Sequence, residues 1–280
     1  YYKKFIDEDP YSEYAWFNLG NIYMKLDQFE NAVEAFEFSI AIDEEYSSAY
    51  INISEALIKL EKFDQAKKYL ERSLSLDGPS PEIYSCLGNV NFYLEDYSTS
   101  ISFYQKSIKI DQMFKESYFG LGRSLSKLDK WFEAIHFFKK AYKIDNKNIE
   151  YVKSLAYAEF KVGNLVSSID LYSKAVEMQP DDYKLSLDFS LIYYESGDID
   201  KAIDIIDQAI EESPGESLLY YRLVIYLMDA GRYKESINVL ESALSLNFDN
   251  HDVLFDFVPN FESQSALIRV INQFKNSGNR

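Results

Sequence analysis

Across 280 residues the chain carries one cysteine, Cys86. An internal disulfide is therefore excluded, and a lone thiol fits a reducing compartment. Histidine is nearly as scarce. His136 and His251 stand far apart, and neither has a Cys or Ser placed in register with it. Neither a metal site nor a nucleophile–base pair is spelled out, because both need clustered groups. Long apolar runs are missing too: the nearest, Leu218 to Met228, is cut by Arg222 and is about half the length a membrane span requires. Basic charge is in deficit, with 29 Lys and Arg against 46 Asp and Glu and a formal net charge of −17. A protein that neutralises phosphates needs clustered cations, so nucleic acid is excluded as a partner class. Neither a glycine-rich phosphate loop nor a nucleophile elbow occurs. These absences predict a protein that is not an enzyme and takes no cofactor.

What is present is a period. Small residues recur every 34 positions without insertion or deletion. One register reads Ala32, Ala66, Ser100, Ala134, Ser168, Ala202, Ser236, and a second reads Ser39, Ser73, Ser107, Ala141, Ala175, Ala209, Ala243. With Glu13 as position 1, the units are 13–46, 47–80, 81–114, 115–148, 149–182, 183–216 and 217–250. Position 7 is Leu, Ile or Phe throughout, from Leu19 to Leu223. Position 17 runs Phe29, Phe63, Tyr97, Trp131, Leu165, Ile199, Tyr233, and position 24 runs Phe36, Leu70, Tyr104, Phe138, Tyr172, Ile206, Leu240. Spacings of three, four and seven put these large residues on one stripe of a helix in each half-unit. The small registers let two helix backbones approach while a large partner fills the notch. A fixed period of this length predicts an all-α, right-handed α-solenoid of antiparallel helix pairs.

Breaks between half-units support that reading. Val162-Gly163-Asn164, Ser196-Gly197-Asp198 and Ala230-Gly231-Arg232 place glycine just past a helix end, where the left-handed conformation suits it. Asp27, Glu61, Glu95 and Asp129 take that place in the first four units. Pro180 and Pro214 mark the ends of second helices. Asp43, Asp77, Asp111 and Asp145 recur at the same period, and an acid between two helices reads as a turn former or cap.

Trp16-x-x-Leu19-Gly20-x-x-Tyr23, followed by Ala32, Phe36 and a small residue three later, resembles the tetratricopeptide repeat over residues 13–250. Asn91 and Glu159 depart from the large residue of position 11, and Ser186 from the aromatic of position 4. Residues 1–12 align with the end of a preceding unit through Tyr2 and Asp9-Pro10, which predicts a piece of a longer repeat protein. Residues 251–280 read as a degenerate repeat interrupted at Pro259. Its closing helix would cap the array with Leu267, Ile268, Ile271 and Phe274. The layout also resembles uncharacterised stand-alone bacterial tetratricopeptide proteins.

The resemblance implies that first helices line a concave face through positions 2, 5, 6, 9, 12 and 13. On that basis the expected peptide-binding residues are Asn18, Asn21, Asn52, Lys59, Asn89, Phe92, Arg123, Lys127, Tyr157, Phe160, Lys161, Leu191, Tyr194, Tyr221, Arg222 and Ile225. Asn18 and Asn52 begin an asparagine ladder at position 6 that Cys86 and Gly120 do not continue. Lys25, Lys59, Lys127 and Lys161 form a stripe at position 13, which also matches the helix-end preference for cations. The basic sites of a chaperone-tail clamp are occupied by Phe17, Glu82 and Cys86, so that adaptor role is not expected. Over positions 5, 6, 9, 12 and 13 the face carries seven cations (Lys25, Lys59, Arg123, Lys127, Lys153, Lys161, Arg222). Against them stand four anions, Glu55, Asp188, Glu195 and Asp229.

The function these features imply is a non-catalytic protein–protein interaction scaffold. Its expected partner is an extended peptide or protein with an acidic stretch, anchored by apolar contacts at Tyr221 and its neighbours. Two alternatives stand beside it: the substrate-recruiting region of a larger enzyme, and a self-associating module stacking end to end. A cytoplasmic location is expected, with export left open by the missing native start.

Overall fold

Seven first helices begin at the same point of the period, and so do seven second helices. In this computed structural model, which describes residues 9–257 and 264–277, the pairs are as follows. The first is α1 (Glu13–Lys25) with α2 (Phe29–Ile42), then α3 (Ser47–Lys59) with α4 (Phe63–Asp77), and α5 (Pro81–Tyr93) with α6 (Tyr97–Ile110). Next come α7 (Lys115–Lys127) with α8 (Trp131–Ile144), α9 (Ile149–Lys161) with α10 (Leu165–Met178), and α11 (Tyr183–Glu195) with α12 (Ile199–Glu212). The last pair is α13 (Ser217–Asp229) with α14 (Tyr233–Leu246), followed by a 3-10 turn (Phe248–Asp252), α15 (Val253–Phe257) and α16 (Ser265–Ser277). The described residues are all-helical, without strand. The aligned Tyr2 and the break at Pro259 lie outside them.

The turn inside each pair has one backbone solution. Position 15 is left-handed in every repeat, with φ of 54° to 60° at Asp27, Glu61, Glu95 and Asp129 and of 75° to 88° at Gly163, Gly197 and Gly231. The next amide then donates back across the helix end, as Gln28 does to the Tyr23 carbonyl (2.9 Å) and Lys62 to that of Leu57 (2.8 Å). Carbonyls left free by the helix end are satisfied this way. The turns between pairs are closed by the periodic aspartates. Asp43, Asp111 and Asp145 each accept from the amide two residues on, at 2.8 to 3.2 Å, whereas Asp77, the last residue of α4, accepts from the Ser47 hydroxyl at the start of α3 in its own pair.

Within pairs, packing is decided by what faces position 24. Gly20, Gly88 and Gly122 stand at position 8 against Phe36, Tyr104 and Phe138, and an added Cβ would lie 2.5, 2.8 and 2.6 Å from those rings. Where position 24 is aliphatic (Leu70, Ile206, Leu240), position 8 is Ser54, Ser190 and Val224 instead. Serines of the small registers also bond: Ser39 donates to the Glu13 carbonyl (2.9 Å) and Ser107 to that of Pro81 (2.7 Å), tying second helix to first. Both polar replacements at position 11 are buried. Asn91 donates to the Leu87 carbonyl (2.7 Å), and Glu159 accepts from Asn164 (2.6 Å).

The chain divides into two compact units, Tyr1–Tyr151 and Val152–Arg280. In the first, Phe36, Ile53, Leu57, Leu70, Ile83 and Leu87 run through a continuous core. In the second, Leu219, Tyr221, Leu223 and Ile225 of α13 share a core with Leu254 of α15 and Leu267 and Ile271 of α16. Ile268 and Phe274 pack partly buried against it.

Candidate functional site

Position 2, 5, 6 and 9 side chains of successive first helices project to one side, because they fall three to four residues apart. In the N-terminal unit they line a cavity of about 510 Å³. Its apolar lining is Phe17 of α1, Ile51 and Ile58 of α3, and Phe119 of α7, together with Phe114 and Tyr151. Asn52, Glu55, Glu82, Cys86, Asn89, Glu116 and Arg123 supply its polar surface. A second cavity of about 420 Å³ adjoins it through Asn52 and Glu55 and is lined by Asn18, Asn21, Met24 and Lys25.

Expected residues are distributed unevenly over this surface. Asn18, Asn21, Asn52, Asn89 and Arg123 line the two cavities. The position-6 ladder of Asn18 and Asn52 is not continued by Cys86, and the Asn52 amide donates to Asn21 at position 9 (2.7 Å), which holds both side chains in place. Further along, Gly120 occupies position 6 because the Tyr104 ring fills the space its Cβ would need. The phenol thereby reaches the cavity from a second helix. Phe92 is buried, and the Arg123 guanidinium lies 4.1 Å above its ring. It therefore supports Arg123 rather than offering a face of its own. Lys59 and Lys127 are exposed in the last turns of α3 and α7, where a cation complements the helix end.

Charge inside the cavity differs from the expected balance. Counting positions 5, 6, 9, 12 and 13 omits position 2, and position 2 brings Glu82 and Glu116 to the lining beside Glu55. The Glu55 carboxyl is pushed above the usual carboxylate range, first by the protein closing around it and then by the charge of Glu82, with Lys59 opposing. Cys86 lines the same cavity, and burial followed by the charges of Glu55 and Glu82 pushes its thiol up. A thiol held protonated is a poor nucleophile.

In the C-terminal unit the expected residues meet different fates. Tyr157 is 41% exposed with the Lys161 ammonium 5.2 Å from its ring centre. Phe160 and Leu191 are half-buried. Tyr194 stacks on Tyr226 at 4.7 Å and donates its hydroxyl to Asp229. Tyr221 and Ile225 require a correction: both have no exposed surface, and the Tyr221 hydroxyl donates to the Asn247 carbonyl (2.9 Å). The segment after α14 covers them, with Leu254 in the same core and the Phe257 ring 4.0 Å from the Arg222 guanidinium. They serve packing and are not free to anchor a ligand. Only the burial of that closing segment could have shown this, and its sequence departs from the period.

Among the described residues no group of His, Cys, Asp and Glu is gathered closely enough to hold a metal ion. No helix of the described residues is long and apolar enough to cross a membrane.

Family models of the tetratricopeptide repeat match residues 13–46, 47–79, 115–148, 159–224 and 218–250, well over half of the chain. The chain belongs to the tetratricopeptide-repeat family. No curated protein matches its sequence. Among solved structures, a chain of the Cut9–Hcn1 hetero-tetramer of the APC/C aligns over 81% of this chain at a TM-score of 0.70 and 19% identity. This chain spans only 45% of that one. The C-terminal part of a repeat-containing protein of Cytophaga hutchinsonii aligns over 86% of this chain and 99% of its own, with a TM-score of 0.64 and 17% identity. PilF of Pseudomonas aeruginosa aligns over 78% and 97%, at 0.64 and 14%. Such tetratricopeptide arrays are folds that support protein–protein interaction scaffolds, and identities this low establish the fold alone.

Proposed function

We propose that this tetratricopeptide array is a non-catalytic scaffold that holds an extended segment of a partner protein along the first-helix face of its N-terminal unit. The observation that carries this reading is the cavity of about 510 Å³ to which α1, α3, α5 and α7 all contribute. It combines apolar walls with a few placed polar groups, the usual composition of a binding cleft. Asn52 and Asn89 supply amides suited to a peptide backbone, which has one donor and one acceptor per residue. Asn18, Asn21 and Asn52 would continue the contact into the adjoining cavity. Lys59 and Lys127 would act as solvated rim charges. In the C-terminal unit, Tyr157, Phe160, Lys161, Leu191 and Tyr194 are the remaining proposed contacts.

A library of random ten-residue peptides displayed on phage, selected against the full chain, tests this directly. Binders are expected to lose about tenfold in affinity when Asn52 and Asn89 are both changed to alanine. The exposed Glu71→Ala of α4 serves as the control and should change nothing. Binders indifferent to the double variant would place the interaction elsewhere and sink the reading.

A further inference from the structure

We propose that the segment held in the N-terminal cavity presents a lysine or arginine, flanked by apolar residues, to Glu55, Glu82 and Glu116. This rests on the groove reading above and names the chemistry of its occupant.

Three observations converge. The first is charge: successive helices α3, α5 and α7 bring one carboxylate each to the same cavity. None of the three makes an ion pair or a side-chain hydrogen bond among the described residues. The one cation on the lining, Arg123, is laid over Phe92 at 4.1 Å and beside Phe119 at 5.9 Å. The cavity is left with three carboxylates to one guanidinium, and that one faces rings.

The second is spacing. Although Glu55, Glu82 and Glu116 share a cavity with Cys86, these groups are not gathered into a metal site. A small ion cannot reach all three, whereas a long side chain ending in several N–H donors can bridge carboxylates held apart. The third is the wall. Phe17, Ile51, Ile58, Phe114 and Phe119 offer apolar surface for the aliphatic stem of such a side chain and for its neighbours. An acidic segment would add like charge to these carboxylates, which opposes binding. The whole-chain charge of −17 also favours encounter with a basic partner.

The same phage selection decides, with one further step. Peptides that require Asn52 and Asn89 are resynthesised with each Lys or Arg changed to Gln, and tested against the full chain and a Glu82→Gln/Glu116→Gln variant. Glu82 and Glu116 are exposed, so the variant keeps its fold, checked by circular dichroism. The expected result is a basic residue in every such peptide, about tenfold weaker binding on its loss, and little further loss when both changes are combined. Groove-dependent peptides that bind equally well without a basic residue, or better with Glu, overturn this inference and leave the scaffold reading standing. Failure to recover any groove-dependent peptide overturns both.

Discussion

Position 15 holds the largest local conflict between side chain and backbone. An L-residue in the left-handed region costs about 1–2 kcal/mol, while glycine gives back about 0.5–1 kcal/mol through the freedom of the unfolded chain. The balance favours glycine where the side chain makes no contact. Glu61 and Glu95, at φ of 57° and 60°, are therefore expected to gain about 0.5–1 kcal/mol on replacement by Gly. Asp27→Gly should gain less, because aspartate tolerates this region better. Urea unfolding of the three variants checks the order, and a loss at Glu61→Gly would show that its side chain has a stabilising role. Glu55 carries a second conflict. Its raised pKa means that the folded state binds its proton more tightly than the unfolded state. Its contribution is most favourable below the usual carboxylate range and is lost as pH rises through the folded value. Glu55→Gln should therefore match the parent in melting midpoint near about pH 4 and exceed it near about pH 7. A midpoint below the parent at neutral pH would mean that the carboxylate has a favourable partner.

At the scale of the helix pair, the ring at position 24 sets the residue it can face. Phe36, Tyr104 and Phe138 take glycine, whereas Leu70, Ile206 and Leu240 leave room for Ser54, Ser190 and Val224. Tyr172 opposite Ala156 departs from that pairing. Gly122→Ala is expected to destabilise by about 1–3 kcal/mol, since its Cβ would meet Phe138 at 2.6 Å. Phe138→Leu removes the ring, so the double variant should recover part of that loss, a coupling that thermal unfolding of the four proteins measures. Additive losses would show that the two sites do not meet. Much of this level was legible in sequence, because period, small registers and glycine stops depend on spacing alone. The Gly120 gap in the asparagine ladder was not. It depends on the Tyr104 ring, on the second helix of the preceding unit, which points into the next unit, and no register reveals that.

For the molecule as a whole, composition and local charge point the same way in the N-terminal unit. Of the basic stripe counted from sequence, Lys59 and Lys127 are exposed at helix ends and Lys25 lines the adjoining cavity, while Glu82 and Glu116 at position 2 turn the main cavity acidic. In the C-terminal unit the closing segment covers Tyr221 and Ile225. Its sequence shows apolar residues without the repeat's spacing, so what they cover could not be read before the fold was known. The central claim is that a partner segment lies across α1, α3, α5 and α7. A selected peptide carrying a photoreactive benzoylphenylalanine, irradiated with the full chain and mapped by mass spectrometry, tests it most directly. Cross-links are expected on first-helix residues such as Ile51, Asn89 and Phe119, and cross-links confined to exposed second-helix residues such as Phe132 or Val166 would contradict it.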